Sequence, residues 1–346
     1  MRRFYTSDCQ PLGNTPLLRL DRMFANPRIQ VFAKLEQFNM AGSAKDRTAA
    51  ALVGHAIDSG RIGAGSVLVE SSSGNLGIAL ARQAALHDMD FHCVVDPRVN
   101  STTTAVMRAL GAIVDMVERP DPSTGDWLTA RRARVAELLD EIPEAVNLDQ
   151  YSNEAAFEAH AEGTMNEILD AMDSPPTHLL AAMSTTGTIG GCRRKLSELG
   201  LATEVIGVDA EGSTLYGGDR GQRLLPGYGA GVVPALSQQH SPDRILRVPD
   251  IDAVIGARRL ALKEGYLPGA SGGAVIAAAE KLAWQLAEQP GTLDELDGEE
   301  ARIAVVIHDG GTSYADTIYS DSWVQEHFDI TADELQGRIQ RGEYTR

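Results

Sequence analysis

The chain has 346 residues, 43% of them hydrophobic, and a formal net charge of −17. That length supports two lobes and a large core, while the strong negative charge excludes nucleic acid and anionic membrane surfaces as main partners. Its three cysteines, Cys9, Cys93 and Cys192, stand far apart with neither metal spacing nor a disulfide framework, which fits a reducing cytoplasm.

In chain order, residues 1–8 are followed by no apolar core of signal length, and no apolar run is long enough for a membrane span. Residues 10–20 read as a turn running into a short strand, and 31–36 alternate as a second strand. Then comes Asn39-Met40-Ala41-Gly42-Ser43-Ala44-Lys45-Asp46-Arg47, a small-residue turn that opens a helical pattern at Asp46 with Ser43 near the cap position. Unpaired N–H groups at a helix start make the local potential positive and disfavour a protonated amine. A lysine so placed can form a Schiff base with a carbonyl.

Strands and helices alternate from there. Strands are expected at 67–70, 91–95, 113–117, 178–183, 205–209 and 303–307, and helices at 75–87, 101–111, 127–139, 153–172, 250–265 and 272–289. Ser101 is the expected cap of the second of these helices. Residues 120–125 form a surface loop, and 212–231 form a glycine-dense loop long enough to suspect function. The tail from about 329 to 346 is polar, and loose attachment is expected.

The alternation predicts an α/β chain with parallel sheets covered by helices. Ligands then bind at loops leaving the carboxyl ends of strands. Three such loops are rich in Gly, Ser and Thr: 71–77, 184–188 and 309–313. With the Lys45 turn they make one candidate site. Ser184-Thr185-Thr186-Gly187-Thr188 offers N–H groups and hydroxyls to a phosphate, although a plain capping turn has the same composition and the Walker lysine is absent. In Ser72-Ser73-Gly74-Asn75-Leu76-Gly77, the N–H groups suit a carboxylate and Asn75 suits a phenolic oxygen. Gly269-Ala270-Ser271-Gly272-Gly273 matches the serine-hydrolase elbow, a rival reading. The preceding segment is short and proline-broken, and only His308 and His327 follow; His308 reads as a loop histidine. Gly227-Tyr228-Gly229-Ala230-Gly231 follows no strand, so it is not read as a dinucleotide fingerprint. Histidines show no ligand spacing, and no metal is expected.

Taken together and in this order, the motifs resemble the cysteine synthase family of pyridoxal-phosphate enzymes, also called fold type II or tryptophan synthase β-like. The resemblance runs from Gly13-Asn14-Thr15-Pro16-Leu17 to Tyr319-Ser320-Asp321-Ser322-Trp323. It implies pyridoxal 5'-phosphate tethered to Lys45, with Asn75 at the ring hydroxyl and Ser184, Thr185, Thr186, Gly187 and Thr188 at the phosphate. Ser271 meets the ring nitrogen and, being neutral, leaves it uncharged; Ser72, Ser73 and Gly74 grip the substrate carboxylate. Met40, the serine- and threonine-rich 184–186 segment, Leu76 and Asp309-Gly310-Gly311-Thr312-Ser313 depart from the cysteine synthase pattern.

These departures resemble the branch that joins O-phospho-L-serine to L-glutamate, giving N-(2-amino-2-carboxyethyl)-L-glutamate and phosphate on the way to 2,3-diaminopropionate for siderophores or antibiotics. Arg131, Tyr151 and Ser184 match residues that face the substrates there. A guanidinium is also the expected counter-group for phosphoserine in so acidic a protein. Arg132 and Arg134 read as a solvated helix face. Cysteine synthase using O-acetylserine or O-phosphoserine with sulfide is the alternative. The expected plan is a larger cofactor-binding lobe (1–40 plus 152–328) and a smaller mobile lobe (41–151). The resemblance further implies a cytoplasmic homodimer.

Overall fold

The computed structural model describes residues 11–72, 74–288 and 300–345. The chain opens with β1 (Leu17–Arg19) and β2 (Ile29–Leu35), an antiparallel pair, and enters α1 (Lys45–Asp58). Next come β3 (Val67–Ser71), α2 (Asn75–Leu86), β4 (Asp90–Val95), α3 (Ser101–Ala109), β5 (Ile113–Met116) and α4 (Trp127–Glu141). A broken helical segment follows: α5 (Ala155–Glu158), a π-helical turn (Ala159–Met165) and α6 (Asn166–Ala171). The chain continues with β6 (His178–Ala182), α7 (Gly187–Glu198), β7 (Glu204–Ala210), β8 (Arg244–Val248), α8 (Asp250–Glu264), α9 (Ala270–Glu288), β9 (Ala301–Ile307), α10 (Asp321–Phe328) and α11 (Ala332–Arg341).

Two sheets result. The larger has the order β1-β2-β9-β6-β7-β8, parallel except at β1, and the smaller is the parallel set β3-β4-β5. Period-2 alternation sends side chains of one strand to both faces. In β9, Ile303, Val305 and Ile307 join the core under α8 and α9, while Ala304 and Val306 join the core under α6 and α7. Strands buried on both faces carry the continuous apolar runs that parallel sheets require. In the small sheet, Phe91, Cys93 and Val95 meet α1, α2 and α3, and Val69 and Val94 meet Val135 and Leu138 of α4. Helices α8 and α9 cross at Gly256 and Gly273, where a Cβ on either would overlap the other's backbone.

Several expectations need correction. The tail is not loosely attached: Leu335 and Ile339 of α11 are buried against the α8–α9 core. Arg338 pairs with Asp252 at 3.3 Å, and Thr345 N donates to the same carboxylate at 2.8 Å. Its apolar stripe is only two residues wide and the remaining fastening is polar, so hydrophobic periodicity misses it. The helix expected over 153–172 is continuous only through the π turn. There Gly163 makes room for the Arg47 guanidinium, and His160 bonds Thr48 and Thr188. Strand β8, which itself contains Arg244 and Arg247, was not expected at all. Asn100 rather than Ser101 caps α3, accepting from Thr102 N at 2.8 Å. Among the described residues no helix is long and apolar enough to cross a membrane.

Candidate active site

A cavity of about 440 Å³ opens between the two sheets, where the loops leaving β3, β6 and β9 converge. Of the residues expected at the site, Lys45, Ser72, Gly74, Asn75, Arg131, Tyr151, Ser184, Thr185, Thr186, Gly187, Thr188 and Ser271 all border it. Ser73 lies outside the described residues.

The Lys45 turn is pinned from both sides. Ala44 N donates to the His308 carbonyl at 2.8 Å, and Ser43 bridges Asp309. Asn39 ties the turn to what precedes it: Nδ2 donates to Glu36 Oε2 at 2.9 Å and to the Ser43 carbonyl at 3.2 Å. Ser43 Oγ accepts from Lys45 N at 3.2 Å, so the serine acts at the cap although Ala44 holds the cap position. Among the described residues Lys45 Nζ makes no hydrogen bond or ion pair. Burial pushes the amine's pKa down, against the opposing pull of the Asp309 charge. Desolvation thus does the work that sequence reasoning gave to the helix terminus.

The loop after β6 turns sharply at Thr186, which adopts the left-handed conformation (φ +68°) and caps α7. The first N–H groups of α7 have no partner within the helix. The neighbouring Thr188 hydroxyl is 3.2 Å from His160 Nε2, which also lies 3.1 Å from the Thr48 hydroxyl. Burial pushes the His160 pKa well down, so this neutral ring is a fixed peg between α1 and α7. Sequence reasoning did not single it out.

Three other residues were undervalued. Asp309, buried at the end of β9, accepts from Asn75 Nδ2 at 2.8 Å and from the Tyr314 hydroxyl at 2.9 Å. Burial pushes its carboxyl pKa up, while Asn75, Tyr314, Ser271 and the Lys45 charge pull it back. His308 is not a plain loop histidine. It borders the cavity with both ring nitrogens buried and unbonded, and burial beside Lys45 pushes it down to about 3. Arg98 also lines the cavity, with its Nε and Nη2 each 2.9 Å from the buried Asp96 carboxylate and its guanidinium 5.6 Å from the Trp127 ring centre. Residues after a strand end carry no periodicity, so only the loop position itself signals them.

Arg131 projects from α4 with its side chain 11% exposed. Its Nε lies 3.3 Å from Asp96 Oδ2 but makes no hydrogen bond. Its neighbours on α4 differ: Arg132 covers the Tyr151 ring at 5.1 Å, and Arg134 pairs with Glu137 and Glu141. Burial raises the Tyr151 pKa, so its phenol stays protonated at neutral pH.

An amine without a partner faces a helix start with free N–H groups and threonine hydroxyls, and a buried serine stands in the same cleft. That donor set fits an aldehyde cofactor carrying a phosphate and a ring nitrogen. Residues 9–306 match the family described as pyridoxal-phosphate dependent enzymes. The chain belongs to that family. The enzyme is therefore pyridoxal-phosphate dependent, with the two-sheet α/β architecture of fold type II. Among solved structures it is similar to the O-acetylserine dependent cystathionine β-synthase of Helicobacter pylori, with 29% identity and a TM-score of 0.81, over 92% of this chain and 100% of that one. It is also similar to a hydrogen sulfide-producing enzyme of Fusobacterium nucleatum, with 29% identity and a TM-score of 0.76, over 88% of this chain and 97% of that one. The serine-hydrolase reading of Ser271 falls with this match. Ser271 is the second residue of α9, and no strand leads into it.

Proposed function

We propose that the enzyme catalyses a β-replacement joining O-phospho-L-serine to L-glutamate, with release of phosphate. The observation that carries this reading is Arg131, a buried guanidinium at the cavity wall, held through Nε by Asp96 at 3.3 Å, in a protein of net charge −17. A dianionic leaving group needs such a partner, and Arg98 beside it supplies a second cation for the carboxylates of glutamate.

When bound, pyridoxal phosphate supplies the electron sink for charge developing at the substrate α-carbon. In this reading Lys45 holds the aldehyde, the 184–188 loop holds the phosphate, and Asn75 and Ser271 orient the ring. Ser72, Ser73 and Gly74 bind the substrate carboxylate. Lys45 Nζ takes the proton from the α-carbon, Arg131 steadies the departing phosphate, and Tyr151 and Ser184 face the incoming glutamate. The carbon–oxygen bond then breaks and phosphate leaves with its electron pair; only afterwards does the glutamate amine bond to the vacated β-carbon, giving up its extra proton to solvent. Lys45 then returns the proton. Residues 41–151 form the mobile lobe that closes on the rest and keeps water out, and the enzyme works as a homodimer in the cytoplasm. The product serves 2,3-diaminopropionate supply to a siderophore or antibiotic pathway.

A second reading, cysteine synthase using O-acetylserine or O-phosphoserine with sulfide, takes support from the relative named as O-acetylserine dependent; the other is named as a producer of hydrogen sulfide. Sulfide is the nucleophile in that case. Phosphate release measured with phosphoserine and glutamate, together with the product mass, separates the two. The carbon–nitrogen adduct is expected; sulfide consumption without it selects cysteine synthesis.

A further inference from the structure

One buried ring joins the two ends of the cleft. His160 lies in the π turn with no exposed surface, and its Nε2 is 3.1 Å from the Thr48 hydroxyl and 3.2 Å from the Thr188 hydroxyl. Thr48 stands one turn past Lys45 on α1, and Thr188 is the second residue of α7, at the end of the 184–188 loop. The other ring nitrogen, Nδ1, is 2.9 Å from the buried Thr164 hydroxyl in the same π turn. The ring cannot retreat, because α7 packs so closely that a Cβ at Gly191 would overlap His160 Cβ and the Phe157 carbonyl oxygen.

A neutral imidazole has one N–H and one bare nitrogen, so the place of its proton decides which neighbours donate and which accept. A phosphate dianion offers only acceptors, and Thr188 holds one only by giving up its single hydroxyl proton. Thr188 Oγ1 then turns a lone pair toward Nε2. A bare Nε2 at 3.2 Å would meet it with a second lone pair, which is repulsive, whereas an Nε2–H donates to it. Nδ1 is then the bare nitrogen and takes the Thr164 proton, and among the described residues the Thr164 hydroxyl has no other hydrogen bond. We propose that His160, as its Nε2–H tautomer, is a positioning residue for the cofactor phosphate. It leaves the Thr188 proton free for the phosphate and, through Thr48, holds the Lys45 helix in register with the phosphate loop. This rests on the 184–188 loop holding the phosphate. Burial keeps the ring neutral, so the tautomer persists at neutral pH.

The test compares pyridoxal phosphate with pyridoxal, which lacks the phosphate, by absorbance titration of the cofactor-stripped full-length enzyme. Glutamine places its amide nitrogen near the Nε2 of the histidine it replaces, and asparagine places its own near Nδ1. His160→Gln should therefore keep the wild-type preference for the phosphorylated form. His160→Asn should bind pyridoxal phosphate roughly 10- to 100-fold more weakly, with pyridoxal binding unchanged. Nitrogen-15 NMR of the cofactor-loaded wild type should show His160 protonated at Nε2 and bare at Nδ1, its signals assigned by through-space contacts to Thr164 and Thr188. An Nδ1–H tautomer there overturns the proposal, even where a variant fails to fold. So does equal weakening of both ligands in His160→Asn, which is the mark of a purely structural ring, and so does a His160→Gln enzyme that binds like His160→Asn. Thr188→Val keeps the two levels apart. A phosphate preference that it leaves intact overturns the 184–188 placement, and the proposal with it. A preference lost in Thr188→Val but kept in His160→Asn overturns the role of His160 alone.

Discussion

Lys45 and Arg47 stand two residues apart in the first turn of α1, in opposite surroundings. Arg47 is 4% exposed and fully engaged: its fork grips Glu36 at 2.7 and 2.9 Å and Glu167 at 2.7 Å. Lys34 completes the network, 2.7 Å from Glu167. Lys45, on the cavity side, makes no hydrogen bond or close ion pair among the described residues and feels only the more distant Asp309 charge. His308 and Arg131, which border the cavity, and the adjacent Asp309 each carry a buried atom without a hydrogen bond, although Arg131 pairs with Asp96 and Asp309 is bonded through its other oxygen. The difference separates two uses of buried polarity. Charges that fix the chain are saturated by the chain, because an unpaired buried charge is costly. Groups that meet a ligand keep capacity in reserve, which a saturated site could not offer.

Breaking each side gives different losses. The largest concerns Lys45→Ala, which should cost on the order of 10⁴-fold in turnover by removing tether and base together. Thermal unfolding without cofactor should be unchanged or later, since a partnerless buried amine is gone. Next is Arg47→Met, which strands Glu36 and Glu167 and should destabilise by about 3–5 kcal/mol in denaturant unfolding.

Glu167 sharpens the comparison through pH. Burial pushes its carboxyl pKa up, but hydrogen bonds and charge from Arg47 and Lys34 outweigh this and hold it at about 2, below its ordinary 4.5. A depressed carboxyl stabilises the fold above its ordinary value, and the contribution disappears as pH falls from 4.5 through about 2. It is worth up to about 3 kcal/mol. Unfolding followed against pH should show that acid limb flattened in Glu167→Gln. The smallest effect is Arg131→Ala, which should raise the KM for phosphoserine roughly 10- to 100-fold and leave cofactor absorbance intact. An unchanged KM would place the phosphate elsewhere.

The saturated side was illegible in the sequence. Glu36, Arg47 and Glu167 lie far apart along the chain, and nothing in their spacing says that they meet. The helix carrying Glu167 was expected, but not its π turn, which depends on what His160 and Gly163 touch. The reserve side was largely legible, because its groups sit in short Gly, Ser and Thr loops at strand ends, where position and composition coincide. Lys45, Asn75, Ser271 and the 184–188 loop were all singled out, and all border one cavity. Asp309 and His308 stood in such a loop too, but a single acid or histidine there carries no pattern. The α11 tail was misjudged because Asp252 fastens it by polar contacts, which leave no period.

The central claim is that Lys45, the bare member of the pair, holds the cofactor covalently. Borohydride reduction of the pyridoxal-phosphate-loaded enzyme, followed by peptide mapping, tests it most directly. A single label on the peptide carrying Ala44-Lys45-Asp46 is predicted. A label on Lys34 or any other amine would contradict the account.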